Sequence, residues 1–470
     1  MIKRLHKKVI SGLLSAALAV SVGAAAMPGL AAAAEQGDAY TYDFTTGGSQ
    51  YVREMIRQKL GDDYVTLYNS LVDELAAKTV SGDDFGNTVD ITFYRGDGIL
   101  PDDADNTKIM SLVKMISNDE PQFYWIGRYG MSWNSWMYTV KIYPSETYKS
   151  ASARADTNNA LISELGYYHE LLASKKGTFF KIAALNDTLA DRTKYDDKRV
   201  NNDKYDSIGC LRDHLCVCDG YAKAFELIAN SEGLGDTVRL YTDSHAWNAI
   251  NFNDRWYYLD VTFDDPILGN VNTPNSQFWR NYFLKSVAGF TSQDSTHDDP
   301  NLLYSEFERP EISANSYIYS ETIGFDAPSG LEKGDCTYVI NNEYISSRIS
   351  RTATLNDWNM DFTEFADGRS DGTYQMTFSS PNAVSRDVEI RVKYGAPTEQ
   401  LDIKLKAQGD INGDGKINAT DLLMIKAMLK GVSELDEYSQ KCADITGDGD
   451  VKSADLLRIK AHIKGVTPIW

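Results

Sequence analysis

Residues 216–225 read CVCDGYAKAF and place a rare residue type where a helix is predicted to begin. The chain of 470 residues contains five cysteines, and Cys216 and Cys218 lie only one residue apart. Apolar residues follow at helical spacing, which predicts a helix whose first turn begins at or just after Cys218. The partial positive charge at a helix N-terminus favours the thiolate form of a cysteine. The stretch therefore predicts a reactive thiol at Cys218, with Cys216 as a neighbour that has no catalytic role.

A cysteine nucleophile needs a base and a third group that orients the base. The chain has six histidines, and the surroundings of three make them poor candidates. These are His6 in the N-terminal segment, His462 in a C-terminal repeat, and His297 in the polar loop TSQDSTHDDP. The remaining candidates are His169, His214 and His245.

His245 opens a predicted strand, HAWNAINF, which a turn at Asn253-Asp254 connects to a second strand, RWYYLDVTF. A two-residue turn there places His245 opposite Thr262 and makes Asp260 its diagonal neighbour, at about 7–8 Å on one face. An aspartate that holds an imidazole in one tautomer completes a Cys-His-Asp triad. The sequence thus predicts Cys218, His245 and Asp260 as the catalytic residues.

Other interpretations of the same residues remain open at this point. Cys218 pairs with Cys210 in one alternative, or is a small buried residue in another. His245 alone is also compatible with a structural histidine in a strand. A metal site at Cys216 and Cys218 lacks further ligands at the usual zinc spacing. His214 competes for the role of base, but no predicted strand aims it across a cleft.

The segment 178–266 resembles the transglutaminase-like (transglutaminase-core) superfamily, which has a papain-type fold. The resemblance is carried by LNDTLADRTKYD, VCDGYAKAF, SHAWNAI and YYLDVTFDDP, with NDEPQFYWI as a preceding segment. It implies that Cys218 is the nucleophile, His245 the base and Asp260 the orienting acid. It also implies attack on a peptide or glutamine amide bond through a thioester, with proteolysis favoured over deamidation or crosslinking. No cofactor is expected for this chemistry.

The C-terminal region is an internal repeat with an offset of 34 residues, as DINGDGKINATDLLMIKAMLKG and DITGDGDVKSADLLRIKAHIKG show. Each repeat matches a 12-residue loop in which alternate positions offer oxygen ligands to Ca²⁺ and a glycine occupies position 6. The predicted ligands of the first loop are Asp410, Asn412, Asp414, the Lys416 carbonyl, Asn418 and Asp421. Those of the second loop are Asp444, Thr446, Asp448, the Asp450 carbonyl and Asp455. Because Thr446 and Lys452 are poorer ligand choices, the second site is expected to bind Ca²⁺ more weakly.

Residues 408–466 resemble a type I dockerin, which also pairs two calcium-binding loop-helix repeats. The resemblance implies two bound Ca²⁺ ions and docking to a cohesin module of a scaffoldin, as in cellulosomes. The positions that would contact the cohesin are Ala419, Thr420, Lys426 and Ala427, and Ser453, Ala454, Lys460 and Ala461. Dockerins usually accompany enzymes of polysaccharide degradation. A non-catalytic or carbohydrate-active cellulosome component is therefore the alternative to a cysteine protease.

The N-terminus reads as a secretory signal peptide over residues 1–34, with a basic start and an apolar run shorter than a membrane span. Its removal takes away four positive charges and changes the net charge from −20 to −24. Such an acidic protein is a poor candidate for binding nucleic acid. We therefore expect a secreted protein, extracellular or held at the cell surface through the scaffold, with a protein or peptide substrate and no membrane span.

The expected fold class is a multidomain α+β protein with four parts after the signal peptide. These are an α+β N-terminal region (35–165), a papain-like transglutaminase-core domain (166–309), a β-sandwich-like module (310–405), and a small all-α calcium-binding dockerin (406–470). In the N-terminal region, Trp125, Trp133 and Trp136 are expected to serve core and hairpin packing rather than a sugar platform.

Overall fold

The computed structural model describes residues 40–265, 280–292, 297, 308–341, 349–353, 358–363 and 371–470. The predicted signal peptide, residues 1–34, lies outside these residues. The segment Thr41–Trp470 packs together as one unit. None of the helices among the described residues has both the length and the apolar character of a membrane-spanning helix.

The described residues form both helices and strands. The helices are α1 (Gln50–Leu60), α2 (Asp62–Thr79), α3 (Asn106–Asp119), α4 (Ala151–Ala173), α5 (Thr178–Arg192), α6 (Ser207–Leu211), α7 (Cys218–Ser231), α8 (Val261–Asp264), α9 (Val287–Thr291), α10 (Ala419–Leu429), α11 (Glu437–Ala443) and α12 (Ser453–Ile463). The first strands are β1 (Val89–Tyr94), β2 (Ile126–Trp133), β3 (Met137–Pro144), β4 (Lys194–Tyr195), β5 (Leu215–Cys216), β6 (Thr237–Tyr241), β7 (Ala246–Phe252) and β8 (Arg255–Leu259). The later strands are β9 (Ser320–Thr322), β10 (Gly324–Phe325), β11 (Cys336–Asn341), β12 (Ile349–Ala353), β13 (Asn359–Asp361), β14 (Gly372–Ser380), β15 (Ala383–Lys393), β16 (Ala396–Pro397) and β17 (Lys404–Leu405).

The N-terminal part contains α1 to α3 and an antiparallel sheet in the order β1-β3-β2. Trp125 is buried before this sheet and donates a hydrogen bond from Nε1 to Thr79 Oγ1 at 2.8 Å. Trp133 and Trp136, at the tip of the β2–β3 hairpin, are 55% and 75% exposed. The expectation that all three tryptophans serve packing is therefore wrong for Trp133 and Trp136, because solvent reaches most of both side chains at the hairpin tip.

Helix α7 is the buried centre of the next part, and it packs on the antiparallel sheet β6-β7-β8. Its apolar face is inaccessible to solvent, with Phe225, Leu227 and Ile228 all fully buried. The Asn248 side chain ties the sheet to the helix, since Nδ2 donates a hydrogen bond to the Ala222 carbonyl at 3.0 Å. This packing brings the start of α7 close to the end of the sheet where β7 begins and β8 ends.

The β7–β8 hairpin has the register predicted from its two-residue turn, with Phe252 paired to Arg255 and Asn248 to Leu259. The predicted continuation to a His245–Thr262 pair is wrong, because the strand ends at Leu259. Beyond it, Asp260 donates its N–H to the Tyr282 carbonyl, and its side chain caps α8 by accepting from Phe263 N at 3.2 Å. The chain therefore leaves the sheet at Asp260.

Two predicted domain boundaries fall inside packed structure. The boundary between residues 165 and 166 lies within α4, which continues from Ala151 to Ala173. Residues beyond 309 still belong to the part that contains α7, since Ser313 N–H donates to the Trp256 carbonyl at 2.8 Å and Tyr317 N–H to the Leu284 carbonyl at 2.9 Å. Both boundaries are set by tertiary contacts that the sequence pattern does not reveal.

The following module is rich in β-structure, as its alternating pattern predicts. Its largest sheet has the strand order β12-β11-β14-β15-β16, with antiparallel pairing throughout. Two smaller pairs accompany it, β13-β9 and the parallel pair β10-β17. The rings of Phe325 and Trp358 stack at 5.3 Å in the buried interior.

The C-terminal repeats pack directly on this module. Tyr438 of α11 donates its hydroxyl to the Val384 carbonyl at 2.8 Å and accepts a hydrogen bond from Lys406 N at 2.9 Å. Lys441 forms an ion pair with Asp387 at 3.2 Å. The repeats are therefore held in a defined position against β15 and the segment after β17.

Candidate active site

Cys218 is the first residue of α7, as the sequence predicts. The helix begins there because Val217 is extended, and its carbonyl accepts from Gly220 N and Tyr221 N. Gly220 is required at this turn, since a Cβ there would lie 2.6 Å from Cys216 Cβ and 2.8 Å from the Lys204 carbonyl oxygen. The Cys218 side chain packs against Ala222 and Ala246, and the residue is 9% exposed. The thiol thus lies at the N-terminus of a fixed helix, just below the surface.

His245 lies one residue before β7, in the short connection from β6. Its position is set by the backbone, because its carbonyl accepts from Thr242 N at 2.7 Å. Its ring stacks on Trp247, with centroids 5.8 Å apart and planes 21° apart, and contacts Phe263 edge-on at 4.8 Å. Ring atom Nε2 lies 2.6 Å from Asp260 Oδ2, so this nitrogen carries the proton and donates it to the carboxylate.

Asp260 is fully buried and accepts hydrogen bonds through both carboxylate oxygens. Oδ1 accepts from Phe263 N, whereas Oδ2 lies 2.6 Å from His245 Nε2 and 2.8 Å from His297 Nε2. Burial by itself would raise the pKa of Asp260, but the charges and hydrogen bonds of His245 and then His297 lower that pKa to about 2. The carboxylate is therefore ionised at neutral pH despite its burial.

The Cys218 thiol is the second polar neighbour of the His245 ring. Burial opposes the charged ring, but Asp260 and then a hydrogen bond with Cys218 outweigh it and raise the pKa of His245 to about 10. Because Asp260 occupies Nε2, Nδ1 is the ring nitrogen that remains for the thiol. His245 thus has both Asp260 and Cys218 as polar neighbours, the two partners that the base of a Cys-His-Asp triad would have.

The donor atoms near Asp260 also raise the question of whether this cluster binds a metal ion. His245, Asp260 and His297 place three donor atoms within 4.8 Å of one another. Two ligands of a tetrahedral Zn²⁺ site lie about 3.3 Å apart, given bonds of about 2.0 Å. The observed separations of 2.6 and 2.8 Å from Asp260 Oδ2 are hydrogen-bond distances. The geometry therefore fits a hydrogen-bonded carboxylate better than a metal centre.

His297 is the site residue that sequence reasoning missed. Its place in the polar loop TSQDSTHDDP made it a poor candidate, yet the side chain is 0% exposed and reaches Asp260. No local pattern could identify it, because it lies 37 residues after its partner. The useful signal would have been its place in the chain, after a run of aromatic residues that includes Tyr282 and Phe290.

The other candidates for the base lie elsewhere. His214 approaches Glu164, with Nε2 4.0 Å from Oε1, and the exposed His169 contacts Glu232. All five cysteines are free, so the alternative disulfide between Cys210 and Cys218 is not formed. Burial and then a hydrogen bond with Cys210 raise the pKa of Cys216 well above its usual value. Cys216 is therefore a poor nucleophile at neutral pH.

The first calcium loop folds around two buried carboxylates, Asp410 and Asp421. Both oxygens of Asp410 accept backbone hydrogen bonds, with Gly413 N at 2.9 Å and Gly415 N at 3.0 Å. Asp421 accepts from Ile411 N and Asn418 N, at 2.8 and 2.9 Å. The loop is thereby wound so that its first and twelfth positions lie at its centre, as a calcium loop requires.

The second loop repeats this winding but holds a cation of its own. Asp444 accepts from Gly447 N and Gly449 N, both at 2.8 Å. Lys452 Nζ, by contrast, lies 3.1 Å from Asp448 and 3.0 Å from Asp450. This ammonium would compete with a bound Ca²⁺ ion for the Asp448 carboxylate.

Both loops offer oxygen donors only, and their carboxylates carry an excess of negative charge. That donor set fits Ca²⁺, which when bound supplies the missing positive charge. Burial and then the charge of Asp421 raise the pKa of Asp410, which records how closely the carboxylates approach. Which of these oxygens coordinate Ca²⁺ stays a prediction of the repeat pattern.

The helices after the loops leave a symmetric surface exposed. Leu423 and Leu457, 34 residues apart, are 60% and 64% exposed on α10 and α12. The predicted cohesin-contacting residues Thr420, Lys426 and Lys460 are exposed as well. Each helix ends before a glycine with positive φ, Gly431 or Gly465, as predicted.

Comparisons with known proteins identify the C-terminal part. Residues 408–464 match the family described as "Dockerin type I domain", which confirms the dockerin predicted from the repeats. A type I dockerin implies cohesin binding and cellulosome-type docking, and such modules are typical of secreted cellulosome components.

No curated protein matches the chain. One solved structure, described as "Crystal structure of a TGase", is 13% identical and has a TM-score of 0.19. The match covers 43% of this chain and 59% of that one, so this chain spans about three fifths of its length. That TM-score is too low to establish a shared fold.

Proposed function

We propose that this protein is a secreted, scaffold-docked cysteine protease that cleaves amide bonds through a thioester at Cys218. The observation that carries the proposal is the surroundings of His245, whose ring hydrogen-bonds to the buried Asp260 carboxylate and has the Cys218 thiol among the groups that raise its pKa. A structural histidine in a strand needs neither a thiol at a helix N-terminus nor an ionised carboxylate behind it. The three groups together supply a nucleophile, a proton carrier and an orienting acid.

The reaction follows from these positions. The Cys218 thiolate attacks the carbonyl carbon of the amide, and the C–N bond breaks as the His245 imidazolium gives its proton to the leaving amine. A thioester remains on Cys218. His245 then takes a proton from water as the water attacks the thioester, which releases the acid and restores the thiolate. Asp260 stays ionised and stabilises the imidazolium in both steps.

The choice of acceptor decides the product. Water acting on a peptide substrate gives proteolysis, water acting on a glutamine side chain gives deamidation, and a lysine amine gives a crosslink. We assign hydrolysis of peptide bonds as the activity. The Cys218 N–H, in the first turn of α7, is positioned to donate to the oxyanion, because amides of the first helical turn have no intrahelical acceptor.

The test compares two thiols in the same segment. Cys218→Ala should abolish release of labelled peptides from a casein substrate, whereas Cys216→Ser should retain most of it. Circular dichroism on both variants checks that the fold is intact. If Cys216 proves essential and Cys218 dispensable, the assignment of the nucleophile is wrong.

The second candidate function is a non-catalytic or carbohydrate-active component of the same assembly. The observation that favours it is the exposure of Trp133 and Trp136, together with the exposed Tyr94 on the neighbouring strand β1. Exposed aromatic faces stack on sugar rings in carbohydrate-binding proteins. Retention of the full-length chain on plant polysaccharide, lost in Trp136→Ala, combined with no cleavage of protein substrates, would favour this candidate over the protease.

A further inference from the structure

His297 is buried inside an aromatic cage next to the proposed triad. Its side chain is 0% exposed. The rings that surround it, with centroid distances of 4.2 to 5.1 Å, are Phe290, Phe263, Tyr282, Trp247 and His245. An apolar residue would suit these surroundings better than an imidazole, because burying a polar ring costs free energy unless its polar atoms are satisfied.

The imidazole of His297 is satisfied at one atom. Nε2 lies 2.8 Å from Asp260 Oδ2, so this nitrogen carries a proton and donates it to the carboxylate. Nδ1 is buried and has no hydrogen-bond partner among the residues that the structure describes. The hydrogen bond to Asp260 is thus what compensates for placing this ring in the cage.

The same carboxylate oxygen serves both histidines. Asp260 Oδ2 accepts from His245 and His297, while Oδ1 accepts from Phe263 N. The hydrogen bonds from the backbone N–H and the two imidazoles together fix the Asp260 carboxylate in one orientation. Without His297, Oδ2 would keep a single donor, and the buried carboxylate would be free to take up a proton or to rotate.

We propose that His297 is a positioning residue of the proposed Cys218–His245–Asp260 site, where its Nε2–H keeps Asp260 ionised and aimed at His245. This inference rests on the proposed function, since it assigns His297 a role that acts through Asp260. The lowered pKa of Asp260 agrees with it, because His297 follows His245 among the groups that offset the effect of burial.

The test measures how fast iodoacetamide alkylates Cys218 in the full-length protein, followed by mass spectrometry of the Cys218 peptide. At pH 6, His297→Leu should slow alkylation about tenfold or more, because a hydrogen bond to a charged group is lost. The difference should fade by about pH 10, where a thiol ionises without the help of an imidazolium. His297→Gln, whose amide reaches the place of Nε2, should stay within about threefold of the wild-type rate.

Two controls separate positioning from packing. Phe290→Leu loosens the same cage but leaves the hydrogen bond in place, so it should alkylate at close to the wild-type rate. His297→Asn carries the same amide as His297→Gln on a shorter side chain and should behave like His297→Leu. This pair keeps the test decisive even if the leucine variant fails to fold.

A double-mutant comparison gives the sharpest outcome. If His297 acts through Asp260, adding His297→Leu to Asp260→Asn should cause no further loss of Cys218 reactivity. Losses that add in the double variant, or equal rates for His297→Leu and Phe290→Leu, would overturn the positioning role. If Cys218 reactivity does not depend on His245 at all, the proposed function fails instead, so the two failures are distinguishable.

Discussion

Asp260 accepts a hydrogen bond from His245 at 2.6 Å, although both residues lie one position outside the strands that bring them together. The β7–β8 pairing ends at Asn248 and Leu259. Beyond it, His245 sits in the turn from β6, and Asp260 turns away to cap α8. The two side chains therefore meet at the end of the sheet, next to the N-terminus of α7 and the Cys218 thiol.

The pH dependence of amide cleavage should follow His245. Its pKa of about 10 keeps the ring charged below that pH, so the leaving amine finds its proton donor up to about pH 10, and cleavage falls above it. In Asp260→Asn the carboxylate that raises this pKa is gone while burial still lowers it. The basic limb of the kcat/KM profile should therefore move down by several pH units.

His214→Ala is the matched control for this prediction. His214 contacts Glu164 rather than Cys218, and its replacement should leave the profile unchanged. A basic limb that shifts in His214→Ala and stays in place in Asp260→Asn would contradict the assignment of the base.

Removal of calcium should unfold the dockerin selectively. Asp410 and Asp421 are buried in the first loop, and their negative charges repel one another until a cation binds. Chelation with EGTA should lower the helical circular dichroism of the full-length chain and open residues 408–464 to proteolysis. Alkylation of Cys218 serves as the control and should be unaffected. A dockerin that stays helical and protected in a sample proven free of metal would contradict the calcium assignment.

The two calcium sites should differ in affinity because of one residue. Lys452 Nζ lies 3.1 Å from Asp448, whereas the equivalent residue of the first loop is the neutral Asn418. Lys452→Asn should strengthen the second site about tenfold, and Asn418→Lys should weaken the first by a similar factor, since ligand charge tunes calcium affinity. Isothermal titration calorimetry on both variants measures these changes in Ca²⁺ affinity. Two sites of equal affinity in the wild-type protein would refute the role of Lys452.

A buried pair of carboxylates should make the folded state sensitive to pH. Asp119 and Glu226 are both buried, and burial and then the charge of Glu226 raise the pKa of Asp119 well above its usual value. Apart from Asp119, the carboxylate oxygens of Glu226 have no hydrogen-bond partner among the described residues, so we expect the pair to hold a proton at neutral pH. Burial raises the pKa of Glu226 to about 8, although the hydrogen bond with Asp119 and the charge of Arg239 lower it. Its usual value is 4.5, so the folded state holds an extra proton between about pH 4.5 and 8.

The contribution of Glu226 to the free energy of unfolding should therefore fall as pH rises through this range and level off above it, with a slope approaching about 1.4 kcal/mol per pH unit. Glu226→Gln should remove that part of the slope and raise the stability at pH 8. His245 adds a slope of the same sign up to about pH 10, so the comparison is the difference between variant and wild type. Urea unfolding at several pH values measures it, with the exposed Glu74→Gln as control. Parallel curves for Glu226→Gln and the wild type would rule the pair out as the cause.

The sequence by itself determined the features whose interacting residues lie close together along the chain. A calcium loop places all its ligands within 12 consecutive residues, so DINGDGKINATD already specifies which oxygens meet. The β7–β8 register follows from the two-residue turn at Asn253-Asp254, and the start of α7 at Cys218 from the apolar spacing after it. In each case the chain between the interacting groups is too short to allow another arrangement.

Only the tertiary structure decided the features whose partners are distant in sequence. Asp260 leaves the sheet because Tyr282 accepts its N–H, and this overrides the strand pattern of RWYYLDVTF. His297 reaches Asp260 across 37 residues because packing draws it into an aromatic cage, against the polarity of its own segment. Whether a residue is buried depends on what the rest of the chain places around it. The contacts of Asp260 and His297 are stabilised by that packing. A sequence pattern records only what lies beside a residue along the chain, so the polar loop around His297 gave no sign of its contact with Asp260.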